Sequence, residues 1–423
     1  MDKHIEDLLA FLDGSPTSAQ AEGQISQRLE ASGFKRLNED ASWELKPGGK
    51  YYVIRYTSVI AFVAGSEPLT RAGCHIAASH TDSPGLKLKP ESVKTEKGIT
   101  RVAVEVYGGP ILATWTDREL GIAGRAATRL GEEMADLKLV DLKRPAAIIP
   151  NAAIHLNREV NKGFEYNKQT HLQAILTSAA GGGDPLRAAV AASLERDPED
   201  IRELDLFLYD FAKARIGGLD DSLIFSGRLD NLGMTHAILS AIRSAEAPRL
   251  TCVAAFYDHE EIGSRTLQGA ESSFLASVLE RVGICMGLGR EDQLIALDRS
   301  FLVSGDMAHA YHPSYPEKYD SSYAPVMNGG PVIKWNAGHK YTTTLESSQT
   351  FALNCEAAGV SYQKFAMRSD LLCGSTVGPV LAAQLGLNTV DVGNPLWAMH
   401  SARETAGVND HLDMIKVLSH YYH

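Results

Sequence analysis

From Arg228 to the end of the chain, short runs rich in β-branched and aromatic residues alternate with stretches whose apolar residues recur at helical spacing. The pattern predicts helices over residues 230–244, 272–281, 347–358 and 376–385, and strands over 251–257, 300–304, 362–367 and 389–392. A strand that rejoins its sheet through a helix runs parallel to its predecessor, and parallel sheets need helices on both faces. The alternation therefore restricts the chain to an α/β fold with a largely parallel sheet covered on both faces. Upstream, helices are expected over residues 5–12 and from a cap near Thr17-Ser18 to a stop at Gly33, then strands over 51–56, 59–64 and 72–79. After Pro90 the pattern breaks. Residues 102–107 alternate, 121–129 and 137–142 read as short strands, and a Gly-rich piece surrounds residues 181–185. We expect a discontinuous α/β domain, residues 1–90 and 228–423, interrupted by an inserted β-rich domain at 91–227.

Composition narrows the function. With 423 residues and 44% hydrophobic content the chain can fill several cores, which excludes disorder. Its longest apolar stretches, residues 59–65 and 146–150, are far shorter than the ~18 residues a spanning helix needs. The opening Met1-Asp2-Lys3-His4 lacks the pattern of an export signal, so a cytoplasmic location is expected. A net charge of -11 without a basic stripe argues against nucleic acid as a partner. The five cysteines show no C-x-x-C spacing and read as packed thiols.

The chemistry sits in five clusters that share one placement. His80-Thr81-Asp82, Asp258-His259-Glu260-Glu261, Asp306 and His400 each follow a predicted strand, and Asp230 stands at the mouth of a helix. Each alone has an ordinary reading: a hydrogen-bonded turn, a solvated acidic face, an N-cap, a core histidine. Ligands of open α/β sheets bind outside the carboxyl ends of the strands, so together the five can converge on one crevice. Imidazoles and carboxylates are the donors of open catalytic zinc sites, and two ions close together can clamp a water and polarise a carbonyl. We expect His80 and Glu261 on one ion, Asp306 and His400 on the other, and Asp230 between them. Asp82 would accept the second ring N–H of His80, leaving Glu260 as the general base. Two divalent ions are thus expected, zinc first, with manganese or cobalt compatible with the same donors.

In detailed wording the chain resembles the aspartyl aminopeptidase family of co-catalytic dinuclear zinc peptidases. The matching segments, in order, include Ser79-His80-Thr81-Asp82-Ser83-Pro84, Ala153-Ile154-His155-Leu156-Asn157-Arg158, Arg228-Leu229-Asp230-Asn231, Asp258-His259-Glu260-Glu261-Ile262-Gly263-Ser264, Asp306-Met307-Ala308-His309-Ala310-Tyr311-His312-Pro313, Gly330-Pro331-Val332-Ile333-Lys334, Cys373-Gly374-Ser375-Thr376-Val377-Gly378-Pro379 and Ala398-Met399-His400-Ser401-Ala402-Arg403-Glu404. The resemblance implies a cytosolic enzyme that releases N-terminal Asp or Glu from peptides, with Glu260 deprotonating a bridging water that attacks the peptide carbonyl. It also implies a homo-dodecamer whose inserted domain builds dimer contacts. It points to Lys334 and Tyr341 as substrate contacts; His155, reaching a neighbouring subunit's crevice from the inserted block, and His312 are further candidates for shaping the substrate pocket. Two segments depart from the family wording: Ser15-Pro16-Thr17-Ser18-Ala19-Gln20, and Gly338-His339-Lys340-Tyr341-Thr342-Thr343 beside the proposed specificity residues. The competing readings are a metal-dependent deacylase of N-acyl amino acids on the same fold and a non-catalytic assembly or binding protein.

Overall fold

The computed structural model describes residues 2–130, 134–179 and 183–423. Its centre is a nine-stranded sheet in the order Lys35–Leu37, Lys50–Arg55, Ser58–Val63, Thr251–Tyr257, Cys74–His80, Phe301–Gly305, Asn388–Gly393, Val332–Trp335 and Gln363–Ala366. From Thr251–Tyr257 to Asn388–Gly393 neighbouring strands run parallel. The antiparallel pairings lie to either side of this centre, so the sheet is mixed with a parallel middle. No helix among the described residues is long and apolar enough to cross a membrane.

The central strands are apolar along their whole length because both faces are covered. Every residue of Thr251–Tyr257 is buried. Cys252, Ala254 and Phe256 enter one layer with residues of the helices Lys3–Gly14, Leu229–Ser244 and Val408–Tyr421, while Val253, Ala255 and Tyr257 enter the opposite layer with Phe274–Cys285 and Val377–Leu385. The helices Arg290–Asp298 and Val408–Tyr421 were not anticipated. The first buries only Ala296, and the second turns Asp410 and His411 inward among its apolar residues, so neither shows a clean apolar stripe.

A second, seven-stranded sheet is antiparallel, in the order Gln173–Thr177, Ile99–Tyr107, Gly85–Leu88, Ile201–Asp210, Leu120–Leu130 and Met134–Asp141, with Lys94–Glu96 paired to Ile99–Tyr107 off this path. The helix Pro185–Ser193 packs on it. The Gly-rich piece expected around residues 181–185 lies partly outside the described residues. This sheet takes its first strand from Gly85–Leu88, ahead of residue 91. Arg215–Gly217 and Leu223–Ser226, expected within the insert, pair instead into a small sheet with Glu404–Gly407 and Pro395–Trp397. Backbone pairing, which the sequence pattern does not encode, moves the change of partner away from the change of texture.

A buried polar chain crosses the first layer. His236 Nδ1 lies 2.9 Å from His411 Nε2, and its Nε2 lies 3.3 Å from Asp7 Oδ2. Burial holds both histidines below their ordinary pKa, so the native state carries them neutral. The unfolded chain protonates both near pH 6.5, so it binds more protons than the native state below that value and stability falls as pH drops. Each contributes up to ~1.4 kcal/mol per pH unit below that point. Their contribution to stability should therefore shrink from pH 7 to 5.5, and His411→Gln should lose less melting temperature than the unaltered chain over that range. An equal loss in the variant would show that His411 does not carry the effect.

Candidate metal centre

The sheet order brings the strand ends together. His80 closes its strand opposite Tyr257, so the segment after Tyr257 emerges beside it, and Asp306 follows Phe301–Gly305 on the other flank. Glu260 and Glu261 ride on a 3₁₀ turn, Glu260–Ile262, entered through His259 at φ 67° and left through Gly263 at φ 97°. Such left-handed backbone is costly for a histidine and persists where the surroundings hold it. The Asp82 carboxylate does so, accepting the N–H groups of Glu260 and Glu261 at 3.1 Å each and the Tyr107 hydroxyl at 2.7 Å.

Asp230 stands at the start of Leu229–Ser244, before the backbone becomes helical. Ser83 Oγ donates to its carbonyl at 2.7 Å, and its N–H donates to Glu404 Oε2 at 3.0 Å. The carboxylate is thereby aimed between the two histidines. Oδ1 lies 3.6 Å from His80 Nε2, and Oδ2 lies 3.4 Å from His400 Nε2. His80 Nε2 is also 3.9 Å from Asp306 Oδ1 and from Glu260 Oε2, while His400 Nε2 is 3.5 Å from Glu261 Oε1.

Spacings of 3.4–3.9 Å are long for hydrogen bonds and close to the ~3.4 Å separating two donors that share a tetrahedral ion at ~2.0–2.1 Å each. Ligand atoms of His80, Asp230 and Glu261 fall within 4.8 Å of one another. Asp230 Oδ1 is buried without a hydrogen-bond partner. An orphaned carboxylate oxygen among imidazoles fits a cation. Both rings present Nε2 to this space because Nδ1 is engaged elsewhere, 3.0 Å from the Asp82 carbonyl in His80 and 3.0 Å from the Gly109 carbonyl in His400.

The electrostatics point the same way. Burial, with Asp306, Asp82 and Asp230 adding to it against His80, pushes Glu260 up to about 8. Burial and the Asp230 charge hold Glu261 well above the carboxylate range, and burial raises Asp306 to about 6 against the pull of Lys334. His400 is raised to about 10, the Asp230 and Glu261 carboxylates outweighing its burial. So many acids packed together out of water suit a site in which divalent ions would supply positive charge.

All six residues expected at the centre (His80, Asp230, Glu260, Glu261, Asp306 and His400) lie in one cluster. His80 approaches Asp306 at 3.9 Å and His400 approaches Glu261 at 3.5 Å, while His80, Asp230 and Glu261, grouped on one ion in the sequence reading, also offer ligand atoms within 4.8 Å of one another. One detail differs from the sequence reading. Asp82 meets the His80 ring through its backbone carbonyl, with its carboxylate Oδ1 at 3.5 Å, because its carboxylate oxygens are taken by the Glu260–Glu261 turn and Tyr107.

Lys334 is buried, with Nζ 3.9 Å from Asp306 Oδ2 and 5.2 Å from the centroid of the buried Tyr341 ring. His155 is exposed and is not brought to the cluster. His312 packs instead on Tyr315 and Trp397, at 4.9 and 6.4 Å between ring centroids.

Sequence reasoning missed Glu404, which is buried and accepts the His400 N–H at Oε1, 2.8 Å, and the Asp230 N–H at Oε2, 3.0 Å. One carboxylate thus fixes the backbone at two members of the cluster, including His400 at φ 69°. It lies in the quoted Ala398–Glu404 wording, but nothing local marks it as buried. Tyr107 and Gly109 were missed because they come from the β-rich block and meet the centre only through tertiary structure.

An α/β sheet carrying imidazole and carboxylate donors at the carboxyl ends of parallel strands defines a metal-dependent hydrolase. The family model of the aminopeptidase I zinc metalloproteases (M18) matches residues 11–422. A probable M18 family aminopeptidase 2 of Clostridium novyi is 42% identical over 427 residues, covering 99% of this chain and 98% of its own. Among solved structures, that of an Ape4 and Nbr1 complex aligns with a TM-score of 0.94 at 38% identity, over 99% of this chain and 85% of that one. The S. cerevisiae mApe1 dodecamer aligns with a TM-score of 0.86 at 28% identity, over 99% and 95%. The chain belongs to the M18 family of zinc metalloaminopeptidases. That assignment favours the aminopeptidase reading over the deacylase and assembly-protein alternatives.

Proposed function

We propose that the chain is an aminopeptidase for peptides with acidic N-terminal residues, working with two divalent ions, zinc first. Asp230 would be the shared ligand, with His80 and Asp306 on one ion and His400 and Glu261 on the other; the approaches of 3.9 and 3.5 Å favour this sharing. When bound, such a pair of ions lowers the pKa of water and polarises a carbonyl. Glu260 does the proton work. It has the most exposed side chain among the acids of the cluster, 15% against 7% for Glu261, and its carboxylate takes a proton from the attacking water and returns it to the departing amine.

The observation that carries the acidic preference is Lys334. A buried ammonium whose one carboxylate neighbour within 4.0 Å, among the described residues, is Asp306 at 3.9 Å retains donors for a second anion. An aspartate or glutamate side chain beside the centre would supply that anion, with Tyr341 backing the ammonium.

We further infer a homo-oligomer, in keeping with the dodecameric yeast relative, in which the antiparallel sheet forms a dimerisation domain inserted between the two parts of the catalytic domain. His155, between the exposed Ile154 and Leu156, would then be a substrate contact offered to a neighbouring copy, with His312 shaping the pocket rim. The cytoplasm is the compartment that suits free, largely buried thiols.

A panel of aminoacyl anilides tests the substrate reading. Asp- and Glu-anilide should be turned over faster than Leu-anilide, and Lys334→Gln should raise KM for the acidic substrates about tenfold, roughly 1.4 kcal/mol. Equal handling of Asp- and Leu-anilide by the unaltered enzyme would end the acidic reading.

A further inference from the structure

On the strand next to that of Lys334 lies a second buried carboxylate that the metal centre does not use. Asp391, in the strand Asn388–Gly393, is fully buried. Its Oδ2 accepts the Thr342 N–H at 2.6 Å and the Thr342 hydroxyl at 2.8 Å, and its Oδ1 accepts the Thr376 hydroxyl at 2.6 Å. Its own N–H donates to Thr343 Oγ1 at 3.0 Å. A carboxylate removed from water is costly unless several donors meet it, and here hydroxyl and amide donors do. They come from the segment after Tyr341 and from the N-cap of Val377–Leu385. The following residue, Val392, pairs with Ile333, next to Lys334. The same strand thus pairs with the backbone beside Lys334 and, through Asp391, holds the segment after Tyr341.

We propose that Asp391 and Thr342 form a clamp that sets the position of Tyr341, and through it of the Lys334 ammonium, making both positioning residues for recognition of the substrate's N-terminal side chain. A lysine ammonium rides on a flexible four-carbon stem, so its location depends on what surrounds it. Here the neighbours are the Asp306 carboxylate at 3.9 Å and the Tyr341 ring at 5.2 Å. If the Tyr341 segment loosens, the ammonium samples more positions and meets a substrate anion less often. The clamp touches neither Glu260 nor the histidines, so its loss should weaken substrate binding and spare the chemical step.

This deepens the acidic-substrate reading and rests on it. The test compares Thr342→Val, which keeps the shape and removes the hydroxyl, with Thr342→Ser, which keeps the hydroxyl, on Asp- and Leu-anilide with the zinc-loaded enzyme. Thr342→Val should raise KM for Asp-anilide about fivefold, the worth of one hydrogen bond, with kcat within about twofold, and Thr342→Ser should restore it. Values for Leu-anilide should not move. An unchanged KM in Thr342→Val, an equal fall of kcat on both substrates, or a serine variant as impaired as the valine one would each overturn the clamp. Absence of any Asp preference in the unaltered enzyme would overturn the acidic reading instead. The clamp is then judged by the same valine and serine comparison on the N-terminal residue the enzyme does prefer.

Discussion

Glu260→Gln should lower kcat by roughly 10²–10⁴-fold while zinc content and melting temperature stay at their unaltered values. Glutamine matches glutamate in shape and keeps a carbonyl oxygen at the same place, so the backbone contacts of the turn to Asp82 survive. What it lacks is a site that can take up a proton and give it back. Steady-state turnover of a preferred anilide, read beside metal content by emission spectroscopy, separates the two properties. Near-normal turnover would remove Glu260 from the base role, and loss of metal would make it a ligand instead.

The next largest effect is expected at Glu404. In Glu404→Gln one of the two acceptor oxygens becomes an NH₂ group facing a backbone N–H, at Asp230 or at His400. The group is buried, so water cannot replace the lost acceptor. Both backbone segments whose side chains are the proposed ligands lose a restraint, and zinc affinity should fall about 10–100-fold, as for other supports of metal ligands. Competition with a chromogenic chelator measures this without reference to turnover. Unchanged affinity would show that the Asp230 and His400 backbones are held by other contacts, such as Ser83 Oγ on the Asp230 carbonyl and the Ile111 N–H on the His400 carbonyl.

How much of this was legible in the sequence depended on whether the signal was local. The strand at Thr251–Tyr257 was read to the residue because burial on both faces demands an uninterrupted apolar run. Arg290–Asp298 was missed because a nearly solvated helix carries no apolar stripe. His80, Asp230, Glu260, Glu261, Asp306 and His400 could be nominated because strand-end placement recurs in each, and the family wording reinforced it. Thr342, noted only as a departure from that wording, acquires a partner once the strand of Asp391 lies beside it.

By itself, then, the sequence determined the α/β class, the donor types and their positions at strand ends, since periodicity and side-chain chemistry are properties of neighbouring residues. The tertiary structure decided which donors meet. Parallel pairing sets His80 beside Tyr257, and the sheet order puts Asp306 on the far flank. A loop of the β-rich block delivers the Gly109 carbonyl to His400 across 291 residues of chain, and Glu404 reaches back across 174 to the N–H of Asp230. Contacts of that span arise only when separate elements bury their apolar faces against one another, and no window of the sequence contains both partners.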